Sequence, residues 1–538
     1  MFKSVYCLLS IGGVFMKRLS VLLAVLAVLP LAGSTFEKHN PVDKNLPVNK
    51  ILFRHWQEND IEIPAVVSDA LFLRRVTLTA CGRLPTAAEV RDFLNDDALD
   101  KRARIIDKML DSPEYADMQT MRFADMLRIK SEFPINLWPN AVQAYHRKIH
   151  DDLRMNRSLN DMFYEMLTAS GSNFRTPYAN FFRASADRSP EGLAKMVLLT
   201  TMNMREDFLS SSELKEFAVL FSNIRYKSTY EWKEEIVFNA IEPRKISARL
   251  PDGTTVSCNT AETDPRILFA DWLLKGDNDF FARGMTNRVW YWCFGKGIYP
   301  AADALPYPPG FWARLFGCYD QENVPFSPEL QEYLIAEFKN SNYSLKHLYR
   351  VVMNSAAFQA SSMRQEEALL KHFAAYPLRR LESELLIDAL AKVTGSYDRY
   401  MSVIPEPFTY LPWGTKAINI ADGSISSGVL DSFGRPPRDS GQFSERNTAS
   451  TDSQKLYLMN STALYRRIGT YCRSRNGIRD ENQRLDRIYL DILSRYPTSR
   501  ERELFHKYKM EFEPKQRNTA WIDTVWVLLN SKEFIFHH

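Results

Sequence analysis

Glycine is scarce in this chain, with 21 among 538 residues. No P-loop, no dinucleotide fingerprint and no Gly-x-Ser-x-Gly elbow occurs, so phosphate-cradling loops and α/β-hydrolase chemistry have no sequence support. So little glycine also weighs against a turn-dense all-β fold. Cysteine is equally thin. Beyond Cys7 there are Cys81, Cys258, Cys293, Cys318 and Cys472, none at Cys-x-x-Cys spacing. That excludes a zinc knuckle and a disulfide framework, and leaves buried free thiols, with a single disulfide as the alternative. After the first residues no apolar run approaches the ~20 residues of a membrane span.

The one long apolar run has the layout of an export signal. Met16 is the cleaner of two starts. Lys17 and Arg18 form a basic segment, Leu19 to Leu31 an apolar one, and Ala32, Gly33 and Ser34 a cleavage site. Residues 1–34 are therefore expected to be a signal peptide that sends the protein to the periplasm or outside the cell. An N-terminal membrane anchor is the alternative, although the run is short for one. Losing Lys3, Lys17 and Arg18 takes the formal charge from +4 to about +1. A nearly neutral chain lacks the positive field that nucleic-acid binding uses.

What the sequence does contain is a repeat. Arg75, Leu78, Arg83, Pro85, Thr86, Glu89 and Phe93 recur in register as Arg487, Leu490, Arg495, Pro497, Thr498, Glu501 and Phe505. Thr86 with Glu89, and Thr498 with Glu501, have capping-box spacing at a helix start. Each copy is followed by a second phrase, Ser112 to Tyr115 and Ser531 to Phe534, and Val352 to Phe358 echoes that phrase a third time. The serine is expected to bond backbone as the chain turns and the aromatic to tuck into the core. Ser327-Pro328-Glu329 is a further helix start, with Leu330, Leu334 and Phe338 at helical spacing. Glu235 to Cys258 alternates instead in β-like runs, with Pro251-Asp252-Gly253 as a turn. Tyr397 to Ser453, including Ile404–Pro407 and Phe433–Arg438, reads as a long irregular loop. The expected fold is mainly α: a flexible leader over 35–50 and two packed helical domains, 51–260 and 261–538. A small β-hairpin lies between the domains and the long loop in the second.

Several ordered phrases carry a resemblance. They are Leu78–Glu89 with Ser112–Tyr115, Asp264–Arg266 with Asp271–Leu273, and Asn278–Trp290 running into Phe294–Gly297. Arg379–Glu384 with Asp388–Leu390, Phe433–Arg438, Glu445-Arg446 and Asn530–Phe534 complete the set. From about Ile51 onward the chain resembles an exported bacterial family of two paired domains of unknown function, often preceded in relatives by a planctomycete-type cytochrome c domain. That domain is expected to be absent here. The resemblance implies export and company with sulfatase-like exported proteins and polysaccharide-degrading systems. It also implies Cys-x-x-Cys-His in relatives where this chain has Asn203–Ser212, a Cys-x-Cys pair where it has Gln442 and Ser444, and histidines where it has Trp292 and Cys293. Thiolate and imidazole are what hold haem or a soft metal, so no cofactor and no metal site is expected.

Candidate binding residues cluster in the unrepeated middle. Arg283 and Asn287 share a helix face, beside Arg288. With Arg379, Arg380, Arg435, Arg438, Glu445 and Arg446 they form a candidate pocket for a carboxylate or sulfate, because guanidinium forks pair bidentately with such groups. The competing reading is that they tie loops to helices through Glu382, Glu384, Asp388 and Glu445, with Arg380 and Glu384 as an i,i+4 pair. His146 and His150 are also i,i+4 but lack the His-Glu-x-x-His pattern, and read as a solvated basic face. Trp138, Trp290, Trp292, Trp312 and Trp413 include candidates for sugar stacking, although a helical Trp290 is expected in the core. The favoured function is a non-catalytic binding or scaffold component of extracellular polysaccharide utilisation, with a sulfatase-like exported partner and a polysaccharide ligand. The alternatives are an enzyme acting on a sulfated or uronic glycan through the Arg/Asn/Glu cluster, and a degenerate relative of haem-linked electron-transfer proteins. The purified protein is expected to show no Soret band in its absorption spectrum; a clear one would overturn the cofactor-free reading.

Overall fold

A computed structural model describes residues 42–306, 323–402 and 409–538. The export signal with its Met16 start, the leader up to residue 41, Cys318, Trp312 and Ile404–Pro407 lie outside the described residues. The described chain is mainly helical, with small sheets of two or three strands. Among the described residues no helix is long and apolar enough to cross a membrane. The leader ends earlier than expected: Pro47–Glu58 is a helix with Pro at its start, and it buries Val48, Ile51, Leu52 and Trp56.

The repeat is a structural unit seen twice. Asp69–Cys81 and Glu481–Leu493 are helices that end on left-handed residues at the same place, Gly82 (φ 62°) and Ser494 (φ 60°). The helices that follow, Ala87–Leu94 and Ser499–Met510, both open with a complete capping box. The guanidinium of Arg83 forks onto Glu89 at 2.9 and 2.8 Å and reaches Glu114 at 3.4 Å. Arg495 forks onto Glu501 at 2.9 Å twice and onto Glu533 at 2.6 and 2.9 Å. The second phrase thus supplies the other carboxylate that holds the arginine of the first. In all three echoes the serine hydroxyl donates to the carbonyl three residues back: Ser112 to Met109 at 2.8 Å, Ser355 to Val352 at 2.6 Å and Ser531 to Leu528 at 2.7 Å. Tyr115, Phe358 and Phe534 are all buried.

The two copies meet. Arg74 donates to the carbonyls of Ile492 and Phe534, both at 3.0 Å, so the first copy grips the second. Arg75 donates to Ala360 (2.9 Å), to Phe358 and to the carbonyl of His538 (3.0 Å), and its guanidinium lies 3.7 Å from the centre of the Tyr376 ring. His537 closes the joint, sharing hydrogen bonds with Thr79 (3.1 Å) and Tyr376 (3.0 Å), while Arg379–Arg380 pairs antiparallel with Phe536–His537.

The expected hairpin is present. Lys245–Arg249 pairs antiparallel with Thr255–Asn259, in the register Ile246 opposite Cys258, and Gly253 takes φ 86° at the turn. Glu235–Asn239 pairs with Ile224–Ser228 on one side and Gly171–Ser172 on the other. The hairpin does not divide the hydrophobic core into an N-terminal and a C-terminal half, however. Phe269 to Phe294 and on to Tyr376 pack into the same hydrophobic cluster as Trp56, Phe72 and Phe163. The second cluster is built mainly from Leu381 to Phe534 and takes Leu78, Leu84, Met118 and Met121 from the N-terminal half. The cause is the Phe280–Phe294 helix, which buries every residue but Tyr291 and so must be surrounded. Gly284 lets it approach the Met202 backbone, where a Cβ would stand 2.9 Å from the carbonyl carbon.

The four described cysteines are free. Burial pushes the thiols of Cys81 and Cys472 up to about 11 and that of Cys293 up to about 12. His146 and His150 do not form a solvated face. Their helix packs on Pro113–Met126, where His150 pairs with Asp117 at 3.1 Å and burial lowers His146 to about 3.

Arg75→Met is expected to lower the unfolding free energy by roughly 3 kcal/mol or more, since buried carbonyls losing their donor cost about 1–3 kcal/mol each. Thr498→Ala, which removes one helix cap, is expected to cost about 1 kcal/mol. Urea unfolding midpoints check both. Equal losses would mean that Arg75 does not anchor the C-terminus.

Candidate functional site

The candidate residues come from three places that the fold brings together: the Phe280–Phe294 helix, the Arg379–Glu384 turn into the Ser383–Thr394 helix, and the Phe433–Arg446 loop. A fourth element was missed. The Pro113–Met126 helix contributes Arg122 and Asp125, and no local signal marks them, since their partners lie 170 to 321 residues away.

Two carboxylates organise the loop. Asp125 accepts from Arg438 at 2.8 Å and from Arg446 at 2.6 Å. Glu384 accepts from Arg446 at 2.6 and 3.2 Å, and Arg435 lies 3.5 Å away. Burial opposes ionisation of Glu384, but Arg446 and Arg435 outweigh it and hold the carboxyl at about 2. The same carboxylates push Arg446 well above its ordinary value despite its burial. Glu445 points into its own loop and accepts from the backbone N–H groups of Asp439 (3.1 Å) and Ser440 (2.6 Å).

The other guanidinium groups end on backbone carbonyls. Arg288 donates to Leu199 at 2.5 Å, Arg379 to Trp292 at 2.9 Å and Cys293 at 3.2 Å, and Arg380 to Phe433 at 2.7 Å and Asn447 at 2.8 Å. Arg435 donates to Ile425, and Arg438 to Ala421 at 2.7 Å. Arg380 and Glu384 do not form the expected i,i+4 pair. Arg380 belongs to a strand and the helix starts only at Ser383, so helical spacing does not apply between them. Arg283 and Asn287 face the Met202–Met204 and Ile298–Leu305 segments: Arg283 reaches the Met204 sulfur at 3.9 Å, and Asn287 joins the Ala302 carbonyl to the N–H of Ile298.

One small cleft remains at the junction, of about 40 Å³, bounded by Arg122, Asp125, Arg288, Arg379, Glu382 and Arg446. That is room for a water or two, where sites for organic ligands start at roughly 300 Å³. The rings of Tyr291 and Phe443 close it by stacking at 3.9 Å and 13°. The N–H of Phe443 bonds Asp303 at 2.8 Å, and burial raises the Asp303 carboxyl. Gln442 and Trp292 border the same cleft, and Asn203 holds Ala302, next to Asp303, at 2.6 Å. Of the positions at which the resemblance implies cysteines and histidines, Gln442 and Trp292 thus line this cleft, and they carry an amide and an indole. Among the described residues no group of three or more His, Cys, Asp or Glu is placed to hold a metal ion. Of the tryptophans, Trp290 and Trp292 are core residues, Trp138 is half-buried and Trp413 is exposed.

These elements define a class: a mainly helical protein of two interlocked halves, with the loop of the second latched to helices of both through arginine. The chain belongs to the family of paired domains of unknown function. Residues 47–211 match the family described as "PSCyt2: Protein of unknown function (DUF1549)", and residues 265–509 that described as "PSD1: Protein of unknown function (DUF1553)". The interval between the two matches holds the Ile224–Asn259 strands. No curated protein and no solved structure matches the chain.

Glu384→Gln is expected to destabilise the protein by about 3–5 kcal/mol, because it leaves Arg446 and Arg435 buried against a neutral partner. The carboxyl sits at about 2 in the folded chain against an ordinary 4.5. Its contribution is therefore complete above about pH 4.5 and is lost as pH falls toward 2. Unfolding midpoints measured from pH 6 to pH 2 are expected to fall more steeply for the wild type than for the variant. Parallel pH profiles would show that the ion pair adds nothing.

Proposed function

We propose that this chain is an exported, non-catalytic binding or scaffold component that works beside a partner enzyme on extracellular polysaccharide. The observation that supports this reading is how the arginine cluster spends its donors. Arg380, Arg435, Arg438 and Arg446 bond Asp125, Glu384 and backbone carbonyls across both halves of the molecule. Donors used in this way hold a surface in shape for a partner, where a substrate pocket would turn them toward open space. The residues that would export the chain, and the sulfatase-like company implied by its family, belong to the same reading.

A second reading keeps the cluster as a catalytic site for an anionic glycan. It is favoured by the cleft that four guanidinium groups share with Asp125 and Glu382, and it requires the Tyr291–Phe443 stack to open.

The test is a co-purification from the native host's culture fluid, paired with assays on the purified chain. The expected result is recovery of a sulfatase-like enzyme in stoichiometric amount, with the purified chain alone releasing neither reducing ends nor sulfate from acidic polysaccharides. Release of either product that is abolished by Glu382→Gln would replace the scaffold reading with the enzymatic one.

A further inference from the structure

The Pro47–Glu58 helix is fastened to the body at both ends. Near its start the Asn49 side chain accepts from the Ala356 N–H at 2.6 Å. At its end Trp56 donates its indole N–H to the His372 carbonyl at 2.9 Å. One residue earlier, His55 meets the His372 ring itself: Nε2 of His55 lies 2.9 Å from Nδ1 of His372, with the ring centres 5.1 Å apart. Both histidines are half-buried. Arg54 adds a pair with Glu329 at 2.7 Å, exposed on both sides and therefore of small worth.

A contact between two imidazoles is a hydrogen bond only under one condition: one facing nitrogen carries a proton and the other offers its lone pair. Protonating one ring keeps the bond and makes it charge-assisted. Protonating both removes the acceptor and sets two cations against each other. The ring that must then leave and the carbonyl that holds Trp56 belong to the same residue, so both fastenings at this end of the helix depend on His372. That residue closes the short Glu367–Lys371 helix, and the buried Phe373 after it takes a left-handed φ of 51°.

The surroundings do little to offset a second charge. Glu58, on the same helix, favours charge on His55, whereas Lys371 opposes it on His372. Of the helices packed on this one, Pro328–Asn340 presents Glu329, already paired with Arg54, and Ala356–Gln359 has no titratable side chain. Phe326 meets the His55 ring edge-on at 5.5 Å. Burial is the largest influence on both imidazoles and lowers them below the ordinary 6.5.

We propose that the His55–His372 contact is an acid-sensitive clasp, which holds the end of the Pro47–Glu58 helix at neutral pH and loosens it once both rings are protonated. A histidine lowered by folding binds fewer protons in the folded chain than in the unfolded one. The contribution of the clasp is therefore complete above about pH 6.5 and is lost as pH falls below it. The device is independent of the polysaccharide reading.

The experiment is hydrogen exchange of the full chain followed by mass spectrometry, from about pH 7.5 to about pH 4.5, corrected for the pH dependence of intrinsic exchange. Protection over residues 52–59 is expected to fall about tenfold in the wild type, the factor that accompanies each unit by which a group is lowered. His372→Gln, whose amide can still meet His55 but takes up no proton, is expected to show no such fall. His55→Gln should behave alike, so the readout does not hang on one substitution. Constant protection in the wild type, or an equal fall in wild type and both variants, would overturn the clasp. So would a fall spread evenly along the chain, which would assign the acid response to the fold at large.

Discussion

A guanidinium group stays charged in a protein interior and carries five donors, so wherever it is buried the surrounding chain must bring acceptors to it. This molecule buries Arg74 and Arg75 side by side on one helix, and their acceptors come from residues 358–360, 492, 534 and 538. Burial lowers Arg74 to about 10 and Arg75 to about 9, a measure of what those carbonyls must offset. The consequence is topological. The Asp69–Cys81 helix cannot be satisfied until residues 492 to 538 arrive, so segments more than 400 residues apart become neighbours.

The repeated phrase works on the same rule at a smaller scale. Arg83 and Arg495 each sit between the glutamate of a capping box and the glutamate that opens a later helix. The carboxylate of Glu89, opposed by burial but held by Arg83 and the Thr86 cap, lies at about 2. One arginine therefore joins a helix cap to the start of a later helix, which is why both copies of the first phrase are followed by the second. The interlocked cores follow from the same economy of acceptors: the Phe280–Phe294 helix satisfies Arg122 through its Trp292 carbonyl and is held there by Arg379 through the same atom.

Much of this was written in local sequence. Both capping boxes, the Pro251–Gly253 hairpin and the turn serines were legible because each depends on residues within a few positions of one another. The convergence of Arg288, Arg379 and Arg446 was legible as a cluster, either a pocket or a set of ties from loop to helix, but their partners were not, since the segments that supply them lie 87 to 321 residues away. Asp125 and Arg122 were illegible for the same reason.

The sequence by itself determined the helical class, the repeated unit and the family, because these rest on periodicity, caps and phrases that are local in the chain. The tertiary structure alone decided that the hairpin near residue 260 does not divide the hydrophobic cores, that the arginine cluster is closed upon Asp125 and Glu384, and which aromatic rings face water. The physical reason is that burial is a property of the whole packing. A side chain's partners, and hence its charge and its use, are set by whichever distant segments must cover it.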